Sequence, residues 1–214
     1  MADSNVIAPE RFSGGVNNFQ EWLGSLAEHR DQFERHYQEY EPAPDDINRI
    51  DRAIEFVGGT VRTLIIADHT TADDWRGVAV MAKIAELAGN EISIVPLEGN
   101  EDLVESHPNI YDETGTPTFI FLGKNGETVG HISRRPLQVE TDINRAIEEK
   151  HGFEFPLEGP DYEAAVLEYL EGDGREREKA WRHALLWETI SEISPEVARL
   201  SRGTIGPIGY LRKS

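Results

Sequence analysis

Between Asp68 and Asp74 the sequence reads Asp-His-Thr-Thr-Ala-Asp-Asp, a run of carboxylates, hydroxyls and one imidazole on a short polar turn. The apolar run Leu64–Ala67 leads into it, and an amphipathic stretch from Thr71 to Leu87 leads out. Three chemistries are open to such residues. Asp68, His69, Asp73 and Asp74 are of the types that zinc or manganese accept as ligands. His69 beside Thr70 or Thr71 would pair a base with a hydroxyl nucleophile, but neither an orienting third group nor an oxyanion loop accompanies them. The third role is structural. Thr71 followed three residues later by Asp74 is a helix-capping pattern, and Asp73 and Asp74 complement the positive end of a helix dipole. That role needs nothing beyond the residues present, so the corner is expected to be a helix start with no metal and no cofactor. A non-thiol enzyme or divalent-metal site on Asp68, His69, Asp73 and Asp74 is the alternative.

Other polar residues invite functional readings and have plainer ones. His29 and His36 are seven apart and would share a helical face, where a packed or surface-edge pair is expected rather than two ligands. Arg134 and Arg135 offer positive charge for a carboxylate, but in so acidic a chain they are expected to meet internal acids. Gly123-Lys124-Asn125-Gly126-Glu127 is a hairpin turn, since the chain has no Gly-x-x-x-x-Gly-Lys-Ser/Thr phosphate loop.

The elements that would carry these residues follow from periodicity. Phe19, Trp22, Leu26, Phe33, Tyr37 and Tyr40 recur at helical spacing, which predicts one helix through the segment 17–40. Ile47, Ile50, Ile54 and Val57 predict a second, stopped by Gly58-Gly59. Strands are expected at Val61–Ala67, Glu91–Pro96, Thr118–Leu122 and Thr128–Ile132, with helices at Thr71–Leu87, Glu101–Ser106 and Pro136–Lys150. The order β-α-β-α-β-β-α predicts a mixed sheet flanked by helices, an α/β class. Beyond a linker at Gly152–Pro160 come helices at Asp161–Leu170 and Arg175–Ile193, a short one from Pro195, and an irregular tail. In that region Trp181, Leu185, Trp187, Ile190, Ile193, Val197 and Leu200 form an apolar stretch, expected mostly to pack on the domain and, in any surplus, to self-associate.

Composition sets outer limits. The chain has 214 residues, 38% of them hydrophobic, and four tryptophans, enough for a real core. It has no cysteine, which removes disulfides, thiolate metal sites and thiol catalysis together. A net charge of −19 repels phosphate backbones, so no nucleic-acid partner is expected. That charge with only five lysines suits a salt-rich cytoplasm, and equally an ordinary acidic bacterial protein. The first residues lack a basic start and an apolar h-region, and no run reaches the roughly 18–20 apolar residues of a membrane span, so a cytoplasmic, membrane-free protein is expected.

Three strings, in order, resemble the thioredoxin family, in particular bacterial members with helical extensions at both ends. In the first, Asp68 to Leu87, Lys83-Ile84-Ala85-Glu86 is similar to a family Arg-Ile-Ala-Glu string. Counting back from it places Thr70 at the family tryptophan and Thr71 at the nucleophilic cysteine. The same count places Asp73 at the family aspartate and Asp74 at the second cysteine. Anchoring on Trp75 instead would place Arg76 at the cysteine; the first count needs no gap within the helix. The second string, Gly115-Thr116-Pro117-Thr118, resembles the cis-proline segment that faces the family's active-site turn. The third, from Ser133 to Ile143, places Arg135 at a family arginine. The resemblance spans about residues 19–151. It implies a thioredoxin-like three-layer core at 59–151, with helical extensions at 1–58 and 152–214 through which a homodimer is conceivable. A threonine hydroxyl stays protonated without a dedicated base, so Thr71 cannot replace a thiol. What the resemblance then implies is a module that binds a protein or peptide through Asp68, His69, Thr70, Thr71, Asp73, Asp74, Thr116, Pro117 and Arg135.

Overall fold

The computed structural model describes residues 6–152, 154 and 159–202. Most of the linker at 152–160, the tail from Gly203, and the side chain of Leu200 lie outside the described residues. Four strands, β1 (Arg62–Ala67), β2 (Glu91–Pro96), β3 (Thr118–Leu122) and β4 (Thr128–Ser133), form one sheet in the order β2-β1-β3-β4. β1 and β2 are parallel, joined by helix α5 (Ala72–Ala88); β3 is antiparallel to both β1 and β4. The β-α-β-α-β-β-α order read from the sequence is therefore the observed one, with α6 (Glu101–Glu105) before β3 and α7 (Leu137–His151) after β4.

Alternation along the strands divides the core. Ile65, Phe119, Phe121 and Ile132 face α5, and Leu64, Ile66, Ile120 and Leu122 face the other side with Phe12, Leu103 and Val104. Phe12 belongs to a short helix, α1 (Pro9–Ser13), which the polar lead did not predict. Both sheet edges are shielded. Val16 bridges Ile94 on β2, while helix α9 (Glu178–Ile193) lies along β4, where a Cβ on Gly130 would sit 2.6 Å from the Glu192 carbonyl oxygen.

The predicted single helix over 17–40 is two helices, α2 (Phe19–Ser25) and α3 (Arg30–Glu39). The chain turns extended at Leu26 and left-handed at His29, with φ of 58°. The break folds the two helices together, so that Trp22 meets Phe33 edge-on at 4.9 Å and Phe19 stacks on Tyr37 at 4.7 Å. Aromatic spacing suits one continuous stripe and a folded pair equally well, which is why periodicity misses the break. In consequence His29 and His36 do not share a helical face. His29 holds the N-cap position of α3 and packs its tilted ring against Trp75 at 4.7 Å, whereas His36 is buried.

Helix α4 (Pro44–Phe56), the terminal helices α8 (Pro160–Glu171) and α9, and α10 (Pro195–Arg202) complete the chain. The turn Asp173–Arg177 ahead of α9 is a 3-10 helix rather than part of it. Leu185, Ile190, Ile193 and Val197 join the same core as α5, and Trp181 packs with Val139, Ile143 and Tyr162. Trp187 is half-buried, so the apolar stretch of the tail is largely spent within the molecule.

Gly77 fixes how closely α5 approaches the loop before β3. A Cβ there would stand 2.8 Å from Pro117 Cγ and 3.1 Å from Phe119 Cζ. Alanine at this helical position gains about 1 kcal/mol of propensity but forces a stiff ring and a buried phenyl apart, at about 1–3 kcal/mol. Gly77→Ala is therefore expected to lower the urea midpoint despite its better helix propensity; an unchanged or raised midpoint would contradict the close packing.

Candidate functional site

The corner is built by the end of β1 and the start of α5. Thr71 is the N-cap of α5, with its hydroxyl accepting from the Asp74 N–H at 3.1 Å. The same hydroxyl donates to Asp74 Oδ2 at 2.6 Å. Thr116, 42 residues further on, donates its hydroxyl to that same oxygen at 3.0 Å, and the Asp68 N–H donates to Oδ1 at 3.3 Å. The Asp74 carboxyl thus ties the strand end, the helix cap and the Gly115-Thr116-Pro117 segment into one latch. The Thr116–Pro117 peptide bond is cis. Thr71, at the helix start, faces this segment, whereas Arg76 lies inside the helix and is buried.

Asp74 has no exposed surface. Burial pushes its carboxyl up to about 7, against hydrogen bonds from Thr71, Thr116 and the Asp68 backbone that favour ionisation, with Asp73 adding a smaller upward push. Around this buried acid the rim is open. His69, Thr70 and Thr71 are exposed, and Thr116 is half-buried. Thr70 donates to Asp68 Oδ2 at 2.8 Å; His69 has φ of 59°, and its carbonyl accepts from Trp75 Nε1 at 3.0 Å.

Asp73 points elsewhere. It reaches Arg76 at 3.7 Å and Arg135 at 3.4 Å, and Arg135 also meets Glu140 at 2.7 Å. All four side chains are buried. Burial opposes the charge of Arg135, but Asp73 and Glu140 outweigh it and hold the guanidinium above its ordinary value. Glu140 also accepts from the Tyr162 hydroxyl at 3.1 Å. The network continues under α5: Arg76 lies over Trp181 at 4.9 Å, and Arg182 pairs with Glu39 at 2.8 Å. His36 sits among Arg76, Arg35 and Arg182, and burial with those three charges lowers it to about 2, so the ring is neutral.

The sequence-predicted residues therefore fall into three groups. Asp68, Thr71, Asp74, Thr116 and Pro117 come together; Asp73 joins Arg135 on the buried side; His69 and Thr70 face solvent. Asp68, His69, Asp73 and Asp74 do not converge, and among the described residues no three His, Asp or Glu side chains are grouped as a metal ion requires. Sequence reasoning missed Glu140 as the partner of Arg135 and Gly77 as the close approach to Pro117. Glu140 stands three residues before Ile143 and seven before Ile147, on the apolar face of the helix, and that register was the available signal for the first.

The family profile described as Thioredoxin matches residues 16–147, and the chain belongs to the thioredoxin family. Having no cysteine, it has no thiol–disulfide oxidoreductase chemistry. Among solved structures it is similar to the crystal structure of PA1234 from Pseudomonas aeruginosa, described as a protein of unknown function. That likeness has a TM-score of 0.58 at 19% identity, over 87% of this chain and 96% of that one. An HIV 4E10 epitope-scaffold is similar at a TM-score of 0.56 and 18% identity, over 87% of this chain and 96% of the scaffold. No curated protein matches the chain. Among the described residues no helix is long and apolar enough to cross a membrane.

Proposed function

We propose that this thioredoxin-family chain is a non-catalytic module that binds an extended protein or peptide segment across the Thr70-Thr71 corner and the Gly115-Thr116 segment. One observation carries the reading. Among the described residues the backbone N–H and C=O of Thr116 make no hydrogen bond, although the residue is half-buried beside exposed Thr70 and Thr71. A main-chain donor and acceptor left unpaired at a partly covered position are the groups that strand-like peptide addition uses. The latch through Asp74 supports the same reading, since it holds Thr116 in place without a ligand and so lowers the ordering cost of binding.

The test is selection of peptides from a random linear library on the immobilised protein, followed by amide NMR mapping. Selected peptides are expected to shift the Thr116 amide most strongly. Thr70→Trp, which places bulk on the exposed rim, is expected to weaken them at least about tenfold. Peptides that map away from Thr116 and ignore Thr70→Trp would overturn the proposal.

A further inference from the structure

A cleft of about 210 Å³, with Arg135 in its lining, lies between β4, the loop after α6, and α9. Its floor includes Ser133, Arg135 and Glu140, and its wall includes Glu188 and Glu192 from α9. Ile110 and Tyr111 stand at its mouth and are among the most exposed large apolar residues described, at 74% and 57%. The cleft holds one side chain or a small molecule rather than a nucleotide-sized ligand, given the usual 300–1,000 Å³ for larger ligands.

Its charges do not balance. Arg135 is already matched by Asp73 and Glu140. Glu188 and Glu192 accept backbone N–H groups, from Leu137 at 2.8 Å and His131 at 3.4 Å; the His131 ring, which also lines the cleft, bears electrostatically on Glu192, but neither acid forms an ion pair among the described residues. Burial raises both carboxyls above their ordinary range, Glu188 to about 7. Independently of these acids, the Ser133 hydroxyl in the floor is 3% exposed and has no hydrogen-bond partner, and Arg135 Nη1 is likewise unpartnered. Buried polar atoms without partners are rare and call for an explanation.

We infer that this cleft is a binding site for an ammonium group on an alkyl stem, taken up between Glu188, Glu192 and the Ser133 hydroxyl. An ammonium brings three donors and a positive charge, the complement of two carboxylates and one free hydroxyl oxygen. The stem would lie along Ile110 and the Tyr111 ring, a favourable surface for a cation and its methylenes. An anion would meet Arg135 Nη1 but also three carboxylates. The unpartnered Nη1 instead suits a carbonyl acceptor on the ligand, as a peptide lysine would provide. The site adjoins the Thr116 segment through the Thr118–Ser133 strand pair but uses none of its main-chain groups, and it does not rest on what binds there.

The experiment is amide NMR titration of the full chain with n-butylammonium, N-acetyl-lysine amide and N-acetyl-norleucine amide, a neutral probe of similar shape. The ammonium probes are expected to shift His131, Ser133 and Leu137, and the neutral probe to bind at least about tenfold more weakly. Glu188→Gln and Glu192→Gln should each weaken ammonium binding about five- to tenfold. These substitutions remove a desolvation cost and keep an oxygen to accept the backbone N–H, so they leave folding intact, and unchanged shifts at Ile92 and Ile94 on β2, the opposite edge of the sheet, serve as the internal check. A stronger response to the lysine amide assigns the group to a peptide side chain, and equal responses assign it to a free amine; both support the site. Equal binding of the neutral probe, absence of ammonium shifts, or insensitivity to both glutamine variants would overturn it.

Discussion

Replacing Arg135 by methionine is expected to lower stability at neutral pH by about 3–5 kcal/mol. The side chain is buried, and it is the one cation paired with buried Glu140 among the described residues, at 2.7 Å. Removing it strands that carboxylate and leaves Asp73 with Arg76 alone, at 3.7 Å. The loss should be partly recovered in Arg135→Met combined with Glu140→Gln, because the amide removes the uncompensated charge and can keep the contact with Tyr162. Urea unfolding of the two variants and the parent measures this. A cost below about 1 kcal/mol, or no recovery in the double variant, would contradict the picture of a charge network closed around Arg135.

Asp74→Asn is expected to do the reverse and stabilise the protein above pH 7. With the carboxyl raised in the folded protein to about 7, folding retains a proton that the unfolded chain releases near pH 4. Below about pH 4 the group is protonated in both states and contributes no difference. As pH rises from about 4 to about 7 the parent loses stability through this group, and above 7 the loss is constant. Asparagine carries no charge to desolvate. Its Oδ1 can accept from the Asp68 N–H while its amide donates to the hydroxyl oxygens of Thr71 and Thr116, which rotate to accept. The variant should match the parent near pH 4 and exceed it by about 2–4 kcal/mol at pH 8. A variant less stable than the parent at pH 8 would show that the carboxylate is favourably solvated or paired.

The parts of the molecule that the sequence reveals are those fixed by neighbours along the chain. The Thr71 cap with Asp74 three residues on, and the strands Glu91–Pro96 and Thr118–Leu122, depend on local pattern and were legible residue by residue. The latch was only half legible, because the Thr116 hydroxyl reaches Asp74 from 42 residues away. The pairing of Asp73 with Arg135, and the room that Gly77 leaves for Pro117, are set by tertiary approach and have no periodic signature. The break between α2 and α3 escaped for the opposite reason. Its flanking residues do keep helical spacing, and only the left-handed turn at His29 reveals the fold-back. The cleft beside β4 draws two acids, without an ion pair among the described residues, from helix α9 far along the chain, so nothing near β4 in the sequence announces it.

The latch through Asp74 is what turns a family corner without sulfur into a fixed edge, and the titration of that carboxyl tests it most directly. Carbon-detected NMR of the Asp74 side chain from pH 3 to pH 9 should give a midpoint near 7, with the Asp68, Thr71 and Thr116 signals moving in step. A midpoint near 4, with those three residues silent, would mean that the carboxyl is open to water and that no such latch exists.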